Sequence, residues 1–246
     1  MEKPLEQHQI EIERNKELWG SKPLIRRIYA DFYRLIIQEL NPSLGGSIVE
    51  LGSGLGNLKS YLPAAISTDL FPNPWLDLAC DAYRLPFASG AVSNLILFDV
   101  FHHLARPVAF IREAQRVLEK AGRLVLFEPY ISVASWPAYG WFHHEPIGWR
   151  ETIEMQPEAP KELGYYAAQG NATRLFFAQE GAWLPSGWRV LGAKRFSSLA
   201  YLLSGGLSKP SLYPEGLYPA IKRMDSAFSK LSGILAGRCL VVLTRD

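Results

Sequence analysis

The sequence predicts an α/β fold organised on a mainly parallel sheet, and three observations carry that prediction. Apolar runs of strand length recur through the first half of the chain, at Ile48, Val49 and Leu51, at Ala65 to Thr68 and at Asn94 to Phe98. Apolar residues at helical spacing precede these runs from Pro23 to Leu40 and follow them from Pro107 to Glu119. A bend rich in glycine, with Gly52, Gly54 and Gly56, comes directly after the first run, so the strand ends where a ligand can approach the backbone closely.

Composition sets the outer limits. With 246 residues, 48% of them hydrophobic and 20% charged, the chain has an ordinary globular composition and length for one sizeable core. The net charge of +2 gives no basic excess of the kind that tracks phosphates, so no nucleic-acid partner is expected. Cys80 and Cys239 lie in predicted strands and fit no metal spacing; they read as small buried apolar residues in a reducing compartment. The amino end, MEKPLEQHQIEIERNKELWG, carries charges throughout, unlike a signal peptide, and a cytoplasmic protein is expected. No uncharged run reaches the roughly 18 to 20 residues that span a bilayer, so no transmembrane segment is expected.

The elements follow in order. Leu24, Ile25, Ile28, Tyr29, Phe32, Leu35, Ile36 and Leu40 form one helical face, which Asn41-Pro42 stops. Trp19, Arg26 and Tyr29 read first as packing or surface residues. After the glycine bend, Leu58, Tyr61 and Leu62 predict a helix whose first amides face a ligand. A second strand, Ala65 to Thr68, ends in Asp69. Only 11 residues separate Asp69 from Asp81, and Pro72 and Pro74 fall among them, so a helix between strands two and three hardly fits. Strand three is placed at Leu76 to Cys80. Leu85-Pro86-Phe87 and Ser89-Gly90 turn into strand four, Asn94 to Phe98, with Asp99 next. A helix from Pro107 to Glu119 presents Val108, Ile111, Ala114 and Leu118; Arg123 to Phe127 is strand five. Trp188 to Phe196 and Cys239 to Thr244 read as the last strands, with a loop and one amphipathic helix between Pro210 and Ser232.

The bend discriminates among ligands. A dinucleotide fingerprint wants glycine at its sixth position, which is Asn57 here, and no Gly-Lys-Ser/Thr phosphate loop is present. Glu50 stands two residues before the first glycine, where a fixed negative charge suits an ammonium better than a pyrophosphate. Charge therefore favours a cationic ligand.

ELGSGLG, then Asp69, Asp81 in CDAYRLPF, FDVFHHL and REAQRVLEKAGRLVLFEPY together resemble the class I S-adenosylmethionine-dependent methyltransferases, most of all their type 11 small-molecule group. The resemblance covers Ile48 to Tyr130. It implies a single Rossmann-like domain over 1–246 with a seven-stranded sheet in the order 3-2-1-4-5-7-6, its last strand pair antiparallel. Residues 1–46 would be a helical cap, 47–130 the cofactor-binding half, and 131–246 the acceptor-binding half, with an aromatic insertion after strand five.

The resemblance also implies roles. S-adenosyl-L-methionine would be held by Glu50, Gly52, Ser53, Gly54 and Asn57 at the bend. Asp69 would take the ribose hydroxyls, with Leu70 beside it. Asp81 and Ala82 would meet the adenine, with Tyr83 and Leu85 as further apolar faces, and Phe98 and Asp99 would lie near the methyl donor. Methyl transfer from a sulfonium is a displacement in which the protein chiefly places the nucleophile, so a base is optional. Asp99, His102 and His103 are the catalytic candidates, a histidine near its ordinary pKa suiting an oxygen or nitrogen nucleophile. Glu128, Tyr130, His143 and His144 are the substrate candidates.

Beyond Ile131 the motifs give out and aromatics accumulate, among them Trp136, Trp141, Trp149, Trp183 and Trp188, as in a lid or a shaped acceptor pocket. Trp141-Phe142-His143-His144-Glu145 invites a metal reading, but adjacent side chains seldom converge on one ion, and no metal is expected. Ile131 to Phe142 and Leu199 to Leu207 are short apolar stretches read as buried; the alternative is a face resting on a membrane, where a lipid-linked acceptor is collected. The expected reaction is methyl transfer to an oxygen, nitrogen or carbon of a small-molecule or lipid- or glycan-linked acceptor. A non-catalytic binding module and, less well matched, a nicotinamide-dependent oxidoreductase are the rival readings.

Overall fold

The computed structural model describes residues 2–142, 145–160, 166–207 and 209–246, with side chains from Gln9 onward except those of Phe142 and Ser229. Seven strands form one sheet: β1 (Ser47–Leu51), β2 (Ala65–Asp69), β3 (Leu78–Ala79), β4 (Val92–Phe98), β5 (Leu118–Pro129), β6 (Trp188–Ser197) and β7 (Ala236–Arg245). Their order is β3-β2-β1-β4-β5-β7-β6, and β7 runs antiparallel to both of its neighbours while the rest are parallel. The predicted sheet order and antiparallel closing pair are borne out.

The central strands are apolar on both faces, as parallel strands covered on both sides must be. Leu95, Leu97, Leu124, Leu126, Val241 and Leu243 point to one face, where α3 (Pro107–Val117) packs through Phe110, Ile111 and Ala114. Ile96, Val125, Phe127, Leu240 and Val242 point to the other, where α2 (Pro23–Gln38) packs through Ile25, Ile28, Phe32 and Ile36. The period of two along each strand therefore divides the core into two layers.

α1 (Glu2–Ser21) precedes α2, and Lys22 joins the two while its ammonium donates to the carbonyls of Ser204, Gly206 and Lys209. Short helices α4 (Leu199–Leu203), α5 (Tyr218–Phe228) and α6 (Ser232–Leu235) lie between β6 and β7. A groove of about 490 Å³ between α2 and α5 includes none of the predicted site residues, and its Asp31 is paired with Arg34 and Lys222.

Three expectations are corrected. The helix predicted after the glycine bend is one 3-10 turn, Asn57–Ser60, because Pro63 stops it within two residues of Tyr61. Strand three is only Leu78–Ala79, an edge strand reached through the proline-interrupted segment that holds no helix. Finally, α3 ends at Val117, short of the expected Glu119, and β5 already begins at Leu118, with Ala121 in the left-handed region (φ 61°). Cys80 lies just past β3 and is half-buried; Cys239 is buried in β7, and both are free thiols. No helix among the described residues is long and apolar enough to cross a membrane.

Candidate functional site

The site lies along the carboxyl ends of β1, β2 and β4. Gly52, Gly54 and Gly56 all have positive φ (65°, 51° and 69°), a conformation that costs a side-chain-bearing residue about 1–2 kcal/mol. At Gly52 a Cβ would also stand 2.4 Å from Val100 Cγ2. The bend is clipped to β2: Ser53 N–H donates to Thr68 O at 2.8 Å, Thr68 N–H to Ser53 Oγ at 3.1 Å, and Gly54 N–H to Asp69 Oδ2 at 2.9 Å. Trp75 Nε1 donates to Gly54 O at 2.9 Å, and Lys16 of α1 lies 5.1 Å from the Trp75 ring. A Cβ on Gly54 would stand 3.9 Å from Ile12 Cδ1 of α1, so the first helix borders the bend.

Glu50 is 4% exposed, and its Oε2 has no hydrogen-bond partner. Burial, opposed by the Ser53 hydroxyl and aided by Asp69, pushes its pKa up to about 8. A carboxylate is thus enclosed beside the bend with an open acceptor and no neighbouring cation. Asp69 is likewise buried, and Asp81 Oδ1 accepts from Tyr83 N–H at 2.9 Å in a tight turn with Arg84. Asn57 opens the 3-10 turn beside the Tyr33 hydroxyl, Ala82 is half-buried, and Leu70 is 42% exposed. The glycines, Glu50, Ser53 and Asp69 are brought together; Asp81 and Ala82 follow the end of β3.

At the end of β4, Phe98 stacks on Tyr29 at 5.2 Å, and Asp99 takes a left-handed conformation (φ 56°). Its carboxylate forms an ion pair with Arg238 of β7, which is 1% exposed and lies 4.4 Å from the Tyr201 ring. Burial disfavours a charged Arg238, but Asp99 and the hydroxyls of Tyr139, Tyr201 and Tyr29 outweigh it and hold the guanidinium protonated. Asp99 is therefore already paired rather than free to act as a base. Arg238 was not singled out in the sequence; its signal was a charge inside the strand-like GRCLVVL run.

A 3-10 turn, Phe101–His103, follows. Glu128, fully buried at the end of β5, accepts from the backbone N–H of Val100 (2.8 Å) and Phe101 (2.7 Å) and from His102 Nδ1 (2.6 Å). Its carboxylate positions this turn. Tyr130, 6% exposed, packs on Phe177, and its hydroxyl takes a hydrogen bond from Arg195. His102 is 2% exposed. Burial opposes its charge, whereas Glu128 and Glu145 favour it and together lift its pKa to about 10.

His103 donates from Nδ1 to Tyr166 O at 2.9 Å, and its Nε2 lies 3.3 Å from Glu145 Oε1. Glu145 Oε2 lies 3.3 Å from His102 Nε2 and accepts from Gln169 Nε2 at 2.8 Å. Burial works against its charge, but the two histidines hold it well below the usual carboxylate range. Glu145 thus meets a histidine pair far off in sequence. His143 and His144 lie outside the described residues. Of the apolar stretch after β5, Ile131 and Tyr139 are buried, whereas Val133 (78%) and Trp141 (76%) are exposed.

Residues 49–126, from β1 into β5, match the type 11 family model described as a methyltransferase domain. No curated protein matches the sequence. Among solved structures, the chain is similar to one from the complex between the Haloferax volcanii Trm112 methyltransferase activator and the protein assigned as a methyltransferase. That match has 16% identity and a TM-score of 0.56, over 98% of this chain and 97% of that one. It is also similar to the geranyl diphosphate C-methyltransferase of Streptomyces coelicolor A3(2), solved with S-adenosyl-L-homocysteine, at 15% identity and TM-score 0.52, over 89% and 77% of the two chains. A third similar structure is the [4+2]-cyclase SpnF, with 14% identity and TM-score 0.51 over 88% and 80%. At such identities the likeness establishes the fold alone. The matched segment adds that the part of the chain from β1 into β5 resembles a methyltransferase domain.

Proposed function

We propose that this chain binds S-adenosyl-L-methionine and transfers its methyl group to an oxygen, nitrogen or carbon of a small-molecule or lipid- or glycan-linked acceptor. One observation carries the proposal: the buried Glu50 carboxylate, with an unpartnered oxygen, beside three left-handed glycines. A lone buried carboxylate is costly in its charged form, and an ammonium seated against it removes that cost.

In this reading Glu50 takes the amino group, the bend of Gly52, Ser53, Gly54 and Asn57 takes the amino-acid end, and Asp69 takes the ribose hydroxyls. Asp81, Ala82 and Leu70 border the adenine. The bound cofactor supplies the activated methyl group. Phe98 and Tyr29 wall the donor end, and the Asp99–Arg238 pair fixes the backbone there. His103 and Glu145, the partly exposed members of their cluster, border the acceptor side, with Trp136 and Trp149 packed edge to face nearby in sequence. Residues 1–246 act as one domain, in the cytoplasm and without nucleic acid, and the two histidines after Phe142 remain candidates for the acceptor side. The exposure of Val133 and Trp141 favours a lipid-linked acceptor as a second reading, which liposome flotation tests.

Thermal shifts with S-adenosyl-L-homocysteine and with NAD separate this function from an oxidoreductase. Transfer of a labelled methyl group to any member of a broad acceptor panel separates it from a binding module, a relevant rival because SpnF carries the fold under the description of a cyclase.

A further inference from the structure

His102, His103 and Glu145 converge from two separate parts of the chain. Their donor atoms all lie within 4.8 Å of one another, and among the described residues no other three such side chains do so. The two imidazole rings are 4.2 Å apart.

Each ring has its far nitrogen tied down. A carbonyl oxygen only accepts, so His103 Nδ1 carries the hydrogen that Tyr166 O receives, and Nε2 keeps its lone pair. His102 Nδ1 meets Glu128 Oε2 in the same manner, and Glu128 is itself fixed by two backbone amides. Both Nε2 atoms therefore face one carboxylate, whose orientation Gln169 sets. Imidazoles held by a carboxylate or carbonyl on the far nitrogen are the usual supports of metal-binding histidines.

Distances separate a proton from a larger cation in the gap. Charge-assisted N–H···O bonds run about 2.7–2.9 Å. Both Nε2-to-Glu145 distances are 3.3 Å, and His102 Nε2 is buried without a hydrogen bond. Two protonated rings would also stack like charges. Nitrogen and oxygen donors each about 2.0–2.1 Å from a tetrahedral ion stand about 3.3–3.4 Å apart, and each Nε2 stands 3.3 Å from one Glu145 oxygen, His102 from Oε2 and His103 from Oε1.

We propose that His102 Nε2, His103 Nε2 and the Glu145 carboxylate form a binding site for a divalent cation of the zinc class. Two imidazoles and a carboxylate are borderline donors that suit zinc over magnesium or calcium. Among the described residues three donors meet here, and a tetrahedral ion takes a fourth, which in zinc sites that act on substrates is water or an oxygen of the bound molecule. Glu128 and Glu145 bring two negative charges to this spot, and a divalent ion balances both. The site stands independently of the methyl-transfer reading, because its donors all belong to the chain.

The test uses tag-free, full-length protein stripped by chelator and titrated with Co2+ as a spectroscopic stand-in, then with Zn2+ in competition. The expected result is one equivalent bound with a visible tetrahedral Co2+ band that Zn2+ abolishes. Glu145→Gln and His103→Ala, both at partly exposed positions, are expected to keep the wild-type circular dichroism and weaken binding at least about tenfold. Absence of the band at one equivalent overturns the site. So does a band that persists unchanged in both variants, which would assign the metal elsewhere.

Discussion

The amide of Gly54 donates to the carboxylate of Asp69 across 2.9 Å, so the bend after β1 is fastened to the end of β2. One carboxylate thus shapes the loop and, in the proposed function, receives the ribose. Asp69→Ala removes both roles. A hydrogen bond to a charged group is worth about 1.5–3 kcal/mol, so homocysteine-cofactor affinity should fall roughly 10- to 100-fold by calorimetry. An unchanged affinity would remove Asp69 from the site.

Gly52 and Gly54 share a backbone conformation but not their surroundings. A methyl at Gly52 meets Val100 at 2.4 Å, whereas at Gly54 the nearest atom is Ile12 Cδ1 at 3.9 Å. Gly52→Ala should therefore lower the free energy of unfolding in urea by more than the ~1–2 kcal/mol of the left-handed backbone alone. Gly54→Ala should lose little beyond that backbone cost, yet bind S-adenosyl-L-homocysteine poorly, since its methyl occupies the approach to the bend. Equal midpoints for the two variants would contradict this.

The pH dependence of stability reports on Glu50. In the ligand-free fold its carboxyl keeps a proton up to about pH 8, whereas its ordinary value is 4.5. Between those values the folded chain binds more protons than the unfolded chain, so this group's contribution falls as pH rises. Glu50→Gln should match the wild type in Tm near pH 4.5 and exceed it near pH 8. Parallel Tm curves for the two proteins would show that burial does not shift Glu50.

Arg238 and Asp99 join β7 to the end of β4 inside a shell of aromatic rings. Arg238→Met leaves Asp99 without its cation and should cost about 3–5 kcal/mol in urea unfolding. Adding Asp99→Asn should recover a large part, since no charge then stays behind. A double variant that is as unstable as the sum of the singles would argue against coupling.

Much of this architecture was legible in the sequence because strands covered on both faces are written as unbroken apolar runs. Ile48 to Leu51, Ala65 to Thr68 and Asn94 to Phe98 needed no knowledge of their partners. Periodicity misled at Leu58, Tyr61 and Leu62, where Pro63 limits the helix to one turn and Leu58 still reaches the core. In the site, Glu50, the glycines and Asp69 were readable as neighbours on consecutive strand ends. Arg238 was not, because its pairing with Asp99 depends on the register of an antiparallel strand that closes the sheet 139 residues later. Glu145 was read beside His143 and His144, its neighbours in the chain, yet the insertion folds back and delivers it to His102 and His103. The partners of Glu128 were not legible either, because its contacts with two backbone amides and a histidine ring depend on how β5 ends beside β4.

Isothermal titration of the wild type and of Glu50→Gln with S-adenosyl-L-homocysteine at pH 7, in two buffers of different ionisation enthalpy, tests the central claim most directly. The account predicts one site per chain, heat that changes with the buffer as Glu50 releases its proton to pair with the ligand's ammonium, and at least about tenfold weaker binding by the variant. No heat at millimolar ligand, or equal affinity for the two proteins, would contradict it.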